Sequence, residues 1–321
     1  MTAHPQDLAA ATGRDAFRQA LTEHAGQDPR IWCCDSDMGG VAQGFGAAHP
    51  ERYVDLGIAE ATMMTTAAAL AAAGKVPFVH TMASFAALRA GEQVKVDIAY
   101  NNLPVHIAAT HGGLSGGHFG PTHQSLEDIA VMRALPHMTV VVPSDSATAA
   151  RLVPLLAGLP GPSYVRLARR ATAPVGPAGR PFALGRADVL REGGDVTLVA
   201  CGPQPVLAAL GAADRLAADG LAATVLDMAT VKPLDVPALV AAAERTGRVL
   251  TVEDHSVIGG LGSAVAEALA EHCPVPLRRI GVPDRFCDRV GGHDELLAHY
   301  GITDERVYET ALAWHKGVDV L

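Results

Sequence analysis

The chain has 321 residues, of which 49% are hydrophobic and 18% are charged. Such a length predicts about two domains, and the composition excludes a largely disordered protein. The formal net charge of -9 argues against nucleic acid as a partner, because a polyanion is repelled and no basic cluster offsets that charge.

The cysteine pattern and the apolar stretches indicate a reduced, cytoplasmic protein without a membrane span. The five cysteines form no C-x-x-C pair and have no zinc-ligand spacing. The N-terminal segment MTAHPQDLAAATGRDAF lacks the basic region and apolar run of a signal peptide. Gly74, Lys75 and Pro77 interrupt the longest apolar stretch before it reaches the ~20 residues of a membrane helix.

Short strands alternate with alanine-rich helices in the first half of the chain. The predicted strands are Arg30–Cys34, Tyr53–Asp55, Val76–His80, Val105–Thr110 and Thr139–Val142. The predicted helices are Arg14–His24, Glu60–Ala73, Ala87–Tyr100, Glu127–Ala134 and Ser146–Leu156. Because such alternation joins parallel strands by helical crossovers, it predicts a doubly wound α/β domain over residues 1–175.

A second alternation of the same kind follows a stretch rich in Pro, Gly and Ala, Ala171–Pro181, which indicates a linker placed at residues 176–190. The predicted strands are Val196–Ala200, Ala223–Asp227, Arg248–Val252 and Leu277–Ile280. The predicted helices are Pro205–Ala218, Val236–Arg245, Gly262–Glu271 and Glu309–Trp314. The fold class is therefore α/β, with a second doubly wound, mainly parallel domain over residues 191–321.

Three blocks of sequence stand out together in the first domain. They are DLGIAEATMMTTAAALAAAG from Asp55, FVHTMASFAALRAGEQVKVDIAYNNLPV from Phe78, and THGGLSGGHFGPTHQSLEDIAVMRALPHMTVVVPSD from Thr110. Their order and spacing resemble the pyrimidine-binding domain of the transketolase family. In the second domain, VTLVACG, ATVKPLD and TVEDHSVIGGLGSAVAEAL resemble the C-terminal domain of that family. The match is best to the split type, in which two polypeptides make up the enzyme.

The resemblance implies a thiamine-diphosphate enzyme that transfers a two-carbon ketol unit between sugar or sugar-phosphate substrates. In the family, the glutamate matching Glu60 hydrogen-bonds a ring nitrogen of the cofactor's aminopyrimidine and thereby activates the cofactor. The aromatic residue matching Phe85 stacks on the pyrimidine ring. Met82 and Leu88 stand where many members have aromatic residues and still offer an apolar pocket. Asp37 matches an aspartate near the cofactor.

The resemblance also assigns substrate contacts to residues of the third block and of the segment SYVRLARR. His123 matches a catalytic-site histidine that contacts the donor sugar's hydroxyls, and His111 matches one that helps bind the acceptor's phosphate. Histidine suits both tasks because it donates, accepts or carries charge near neutral pH. Arg166 matches an arginine that binds the same phosphate, for which the guanidinium fork is well suited.

Phe119 departs from the family pattern. Many transketolases have Gly-x-Asp-Gly where this chain has Gly-His-Phe-Gly, and the matching aspartate resembles a reader of a donor hydroxyl. Phenylalanine cannot accept that hydrogen bond, and His118 beside it is the candidate substitute partner. Losing such a partner relaxes or redirects the choice of substrate, so this departure weakens an assignment to pentose phosphates.

The family's motif for the divalent metal and diphosphate, Gly-Asp-Gly followed by Asn-Asn, is incomplete. The one Asn-Asn pair is Asn101–Asn102, and no Gly-Asp-Gly precedes it. We assign no metal ligand to this chain and expect the oxygen ligands of Mg²⁺ in a partner. The resemblance thus implies an N-terminal, diphosphate-binding subunit and an α2β2 assembly with each cofactor between the two subunit types.

Two alternatives stay open. The chain could be a 2-oxo-acid dehydrogenase E1 β-like or deoxyxylulose-phosphate-synthase-like subunit, since these share the two-domain plan, although the THQ-LED-RALP run favours transketolase. It could also be a degenerate scaffold subunit, against which the retained Glu60 and Phe85 argue. Arg89, Glu92 and Gln93 are expected at the subunit interface or in structural pairs. A structural role, or a place at the rim of the assembly, is assigned to Glu253, Asp254, His255, His293 and Asp294.

Overall fold

The computed structural model describes residues 11–177 and 179–318. The prediction that the chain lacks a signal peptide falls partly on residues 1–10, which lie outside the described residues. All five cysteines are free. Within the described ranges, no helix has both the length and the apolar character needed to cross a membrane.

The described strands and helices alternate along both halves of the chain. The strands are β1 (Ile31–Asp35), β2 (Tyr53–Asp55), β3 (Val76–Met82), β4 (His106–Thr110), β5 (Thr139–Val141), β6 (Ser163–Leu167), β7 (Asp188–Arg191), β8 (Val196–Ala200), β9 (Ala223–Asp227), β10 (Thr230–Lys232), β11 (Val249–Ser256) and β12 (Leu277–Val282). The α-helices are α1 (Gly13–Ala25), α2 (Glu60–Ala72), α3 (Gly91–Gln93), α4 (Asp128–Ala134), α5 (Ser146–Ala157), α6 (Pro203–Ala218), α7 (Val236–Thr246), α8 (Leu261–His272), α9 (His293–His299) and α10 (Asp304–His315).

Two mainly parallel sheets result, which confirms the predicted fold class. The first sheet has the strand order β10-β5-β6-β4-β3-β1-β2, and the second has the order β12-β11-β8-β9-β7. Among the described strands, only the edge strands β10 and β7 run antiparallel to their neighbours. Buried parallel strands need apolar side chains on both faces, and β4 and β8 are buried along their whole length.

The first sheet contains a strand that the sequence did not predict. Strand β10 comes from the second half of the chain and pairs with β5 through Thr230 and Val141. A three-residue strand paired with residues so distant in sequence gives no local pattern to read. Strands β6 and β7 and helix α9 were likewise not predicted. Because β10 forms an edge strand of the first sheet, the second half of the chain contributes a strand to the sheet of the first half.

Parallel pairing brings the carboxyl ends of several strands to one edge of the first sheet. The register sets Met82 at the end of β3 beside Thr110 at the end of β4, and Thr110 beside Leu167 at the end of β6. Loops that follow such strand ends meet in space, and ligands of open α/β sheets bind there. The segments that follow β1, β2, β3 and β4 carry most of the predicted site residues, among them Asp37, Glu60, Phe85 and His123.

The segment predicted as the helix Ala87–Tyr100 has unusually wide turns. Residues Phe85–Arg89 and Val94–Ala99 form π-helical turns, with the short helix α3 between them. Such turns are rare and occur frequently at functional sites. This segment presents Phe85 and Arg89 one turn apart beside the start of helix α2.

Candidate active site

Glu60 is the first residue of helix α2 and is almost completely buried. Its side chain is 3% exposed, and its Oε2 accepts a hydrogen bond of 2.9 Å from Nη1 of Arg89. The preceding loop turns through Gly57, whose φ of 67° favours glycine. The same Arg89 guanidinium lies 4.0 Å from the centroid of the Phe85 ring. One planar cation therefore covers both a buried carboxylate and an aromatic face.

This pair of groups fits the pyrimidine end of the cofactor implied by the resemblance. A buried carboxylate beside an aromatic face can hold a planar, nitrogen-rich ring, and the planar guanidinium of Arg89 occupies that position in this structure. The metal end of the cofactor finds no such match. Over residues 11–177 and 179–318 no group of three or more His, Cys, Asp or Glu side chains could hold a metal ion. Asn101 uses its amide to donate to the backbone oxygens of Val96 and Asp97.

A continuous row of aromatic rings leads away from Phe85. The ring of His123 lies 5.1 Å from that of Phe85 in an edge-to-face arrangement. Phe119 stacks on His123 at 5.2 Å with an interplanar angle of 27°, and His111 lies 5.8 Å from Phe119. Phe119 is about half exposed, at 51%. The structure thus brings together four of the predicted site residues, and the phenylalanine that replaces the family's aspartate lies between the two histidines.

His111 is held in a strained and buried position. Its φ is 62°, an uncommon value for a residue with a side chain, and its Nδ1 lies 2.7 Å from Oγ1 of Thr110. Burial, helped by the positive charges of Arg169 and Arg14, lowers the pKa of His111 to about 3. The imidazole is therefore neutral near neutral pH and acts as a hydrogen-bond donor or acceptor rather than as a cation.

Arg166, predicted to bind a phosphate, makes its contacts within the protein. Its guanidinium is buried and forms a two-pronged ion pair with the carboxylate of Asp128. It also donates to the backbone oxygens of Asp254, at 2.6 Å, and Ser125, at 3.0 Å. Burial acts to lower the pKa of Arg166, but the charge of Asp128 raises it, so the guanidinium stays charged. A guanidinium with four such hydrogen bonds stabilises the fold and has few N–H groups left to donate to a phosphate.

Arg169, three residues further on, belongs to the same basic run but was not assigned to the site from the sequence. Its Nε is buried without a hydrogen-bond partner. The side chain lines a cavity of about 420 Å³ together with Ser115, His118, Phe119, Arg170 and His293. Arg170 pairs with Asp294 at 2.6 Å, whereas the charge of Arg169 acts on His111. The run LARR indicates a cluster of cations, but the sequence does not reveal which arginine points inward.

The remaining predicted residues differ in their exposure and in their surroundings. Met82 ends strand β3, and Leu88 is 60% exposed beside Phe85 in a cavity of about 580 Å³. Asp37 is exposed with a φ of 57°. Its neighbour Asp35 is buried and accepts a 2.9 Å hydrogen bond from Tyr53, and burial raises the pKa of Asp35. His118 is exposed at the mouth of the Arg169 cavity.

Glu253 and His255 of the second half have structural partners. Glu253 accepts hydrogen bonds from the backbone N–H groups of Leu261 and Gly262, at 2.7 and 2.9 Å, and so caps helix α8. Burial raises the pKa of Glu253 to about 7 and lowers that of His255 to about 4. The contacts of Glu253 are structural, and a structural role for His255 stays a prediction.

Comparisons with known proteins match both halves of the chain. The family model of "Transketolase, pyrimidine binding domain" matches residues 9–174, and that of "Transketolase, C-terminal domain" matches residues 185–307. A 6-deoxy-6-sulfo-D-fructose transketolase subunit of Clostridium sp. is 44% identical over 93% of this chain and 92% of that protein. An apulose-4-phosphate transketolase subunit of Phocaeicola vulgatus is 43% identical over 94% of this chain and 97% of that protein.

A solved structure and a longer relative complete the comparison. The solved structure, "Split gene transketolase, inactive beta4 tetramer", superposes with a TM-score of 0.88 at 43% identity over 95% of this chain and 98% of that chain. A 1-deoxy-D-xylulose-5-phosphate synthase of Crocosphaera subtropica is 38% identical, and the match spans only 46% of it. The transketolase interpretation is thus favoured over the synthase alternative, and the chain belongs to the transketolase family, where it corresponds to a separate subunit with the pyrimidine-binding and C-terminal domains.

Proposed function

We propose that this chain is the C-terminal subunit of a split, thiamine-diphosphate-dependent transketolase that works in the cytoplasm. The observation that carries the proposal is the contact chain from Glu60 through Arg89 and Phe85 to His123. Glu60 and Phe85 bind the pyrimidine end of the cofactor, and Met82, Leu88 and Asp37 surround that site. When bound, thiamine diphosphate supplies the nucleophilic carbon that cleaves the donor ketose.

The residues of this chain then bind and orient the substrate. Glu60, buried at the start of α2, holds a proton against the pyrimidine ring. His123, between Phe85 and Phe119, contacts the donor sugar near the reacting carbon and moves protons at its hydroxyl oxygens. Neutral His111 offers a hydrogen bond rather than a charge.

The substrate is proposed to be a sugar with an anionic end. Arg169 has a buried Nε without a partner, and Arg14 adds a second positive charge that acts on His111. Phosphate or sulfonate oxygens are the natural partners of such guanidinium groups. The relatives from Clostridium and Phocaeicola are named for a sulfo-sugar and a sugar phosphate, which supports this class. In this proposal Arg169 takes the anion-binding role first predicted for Arg166.

A second polypeptide completes the site. The metal and the diphosphate need oxygen ligands with near-octahedral geometry around Mg²⁺. We assign these ligands to an N-terminal, diphosphate-binding transketolase subunit, joined to this chain in an α2β2 assembly. The solved relative is named as an inactive tetramer of four β subunits, which supports a requirement for the other subunit.

The test is Glu60→Gln in the complex reconstituted with the N-terminal subunit. Because the amide cannot hold and release a proton as the carboxyl does, we expect ketol transfer to fall by about 10²–10⁴-fold with the complex intact. Glu51→Gln is the matched control, since Glu51 is 65% exposed in the same half of the chain. A scaffold subunit would tolerate both substitutions, and full activity of Glu60→Gln would therefore overturn the proposal. Decarboxylation of 2-oxo acids without ketol transfer would favour the dehydrogenase-like alternative.

A further inference from the structure

The loop of residues 112–126, called here the substrate loop, is anchored in the second half of the protein. Leu114 near its start and Leu126 at its end are buried in the hydrophobic core of the second sheet, with Leu198 and Val252. Between them the loop carries Phe119 and His123. The side chains that face the proposed sugar site thus belong to the first half, while both ends of their loop are packed into the second.

Asp254, near the end of β11, is the polar centre of this anchor. Its Oδ1 accepts a 2.9 Å hydrogen bond from the backbone N–H of Leu114. Its Oδ2 lies 2.8 Å from Nε2 of His293, whose side chain is 9% exposed. Its backbone oxygen accepts from Arg166, which also donates to the backbone oxygen of Ser125. One residue therefore connects both arms of the loop to helix α9.

Glycines allow the second half to touch the backbone of the loop directly. A Cβ atom added at Gly113 would lie 2.3 Å from Cγ of Asp254, and one at Gly117 would lie 2.2 Å from the backbone oxygen of Gly291. Distances this short leave no room for any side chain. Gln124 adds a 3.3 Å hydrogen bond to the backbone oxygen of Arg289. Groups that lie beyond residue 250 therefore restrict the path of the loop.

The Asp254 carboxylate is ionised and strongly bound. Burial acts to raise the pKa of Asp254, but the hydrogen bond with His293 and the nearby charge of Arg166 hold it below its usual value. Hydrogen bonds to such a buried carboxylate are about twice as strong as those between neutral groups. Removing one partner leaves the other buried and unsatisfied, so the contact is sensitive to substitution.

We propose that Asp254 and His293 are positioning residues for sugar recognition. They fix the backbone of the substrate loop at Leu114, and thereby set where Phe119 and His123 stand relative to Phe85. What the loop recognises rests on the proposed function, whereas the anchoring itself does not. The second domain then has a defined part in substrate selection although neither residue is expected to take part in the chemistry.

Hydrogen exchange of the full chain tests the anchor without any partner or cofactor. In His293→Leu the amides of residues 113–124 should exchange about 10-fold faster or more, the loss expected for one buried charge-assisted hydrogen bond. His293→Gln keeps an N–H donor and should restore most of the protection. His272→Leu is the control, because His272 is 52% exposed on helix α8. Unchanged exchange of the loop in His293→Leu would overturn the anchor.

Kinetics of the reconstituted complex test the link to the substrate. His293→Leu should raise the sugar KM by roughly 5-fold or more while the Kd of thiamine diphosphate changes by less than about 2-fold, because the substitution alters the substrate loop and the adjoining Arg169 cavity but leaves Glu60 and Arg89 untouched. Gly117→Ala should have the same effect, a higher sugar KM with a nearly unchanged Kd of thiamine diphosphate. The added methyl group would push the loop away from the backbone oxygen of Gly291. A looser loop with an unchanged KM would refute the positioning role. If the complex shows no ketol transfer at all, the proposed function fails and the exchange result still stands.

Discussion

Arg89 occupies the site at which the cofactor's pyrimidine end is proposed to bind. It donates to Glu60 at 2.9 Å and lies 4.0 Å above the Phe85 ring, so the cofactor must displace it from both groups. Arg89→Met removes the planar cation and keeps a flexible apolar side chain about as long as the aliphatic part of arginine. We therefore expect the substitution to strengthen binding of thiamine diphosphate to the complex.

The size of this effect follows from the two contacts. A partly exposed cation–π contact contributes about 0.5–1 kcal/mol. The hydrogen-bonded ion pair has one buried partner, but the Arg89 side chain is 47% exposed, so its contribution is discounted to about 1 kcal/mol for solvent screening. Together they correspond to a roughly 10- to 30-fold lower Kd, since about 1.4 kcal/mol is tenfold.

Isothermal titration of the reconstituted complex with thiamine diphosphate and Mg²⁺ measures this Kd directly. Arg30→Met serves as the control, because Arg30 makes a comparable 2.7 Å pair with Asp28 on the surface. Weaker binding in Arg89→Met, or an unchanged Kd, would refute the reasoning, since Arg89 would then support the cofactor or leave its site uncovered.

Three further predictions concern stability and specificity. Asp128→Asn should lower the free energy of unfolding by about 3–5 kcal/mol in a denaturant titration, because it leaves Arg166 as a buried unpaired charge; a loss below about 1 kcal/mol would contradict the buried ion pair. Burial lowers the pKa of His80 to about 3, so this residue contributes stability that is present above about pH 6.5 and lost as the pH falls toward 3, because only the unfolded chain takes up the proton. His80→Gln should therefore reduce the loss of stability between about pH 7.5 and 5 by roughly 2 kcal/mol, and an equal loss in both proteins would argue that His80 is not buried as a neutral group. Phe119→Asp removes the ring stacked on His123 and supplies a hydroxyl acceptor, so kcat/KM for a standard ketose phosphate should rise by about 10-fold or more relative to the native donor; an unchanged ratio would show that Phe119 does not select the donor.

Local patterns and the resemblance predicted much of the fold and part of the site. The alternation of strands and helices was readable because buried parallel strands are short continuous apolar runs, as in β4 and β8. Strand β10 could not be predicted in this way, because its three residues form a strand only by pairing with β5 of the other half of the chain. Glu60 and Phe85 were indicated by motif position, and the structure brings them together through Arg89.

The roles of the arginines and of the second half could not be read from sequence. Arg166 and Arg169 share one short run, and only the fold shows that Asp128, far away in sequence, pairs with the first and leaves the second near His111. The role of Asp254 depends on a hydrogen bond to Leu114 across 140 positions. Contacts of such range depend on the tertiary fold and leave no periodic signal.

The most direct measurement of the central claim is a titration of this chain with the N-terminal, diphosphate-binding subunit. Ketol transfer and thiamine-diphosphate binding are followed as the partner is added at fixed concentration of this chain. Neither subunit alone should turn over substrate, and activity should rise to saturation at one partner per chain, with Glu60→Gln assembling equally well but remaining inactive. Full turnover by this chain alone, or an active Glu60→Gln complex, would contradict the account.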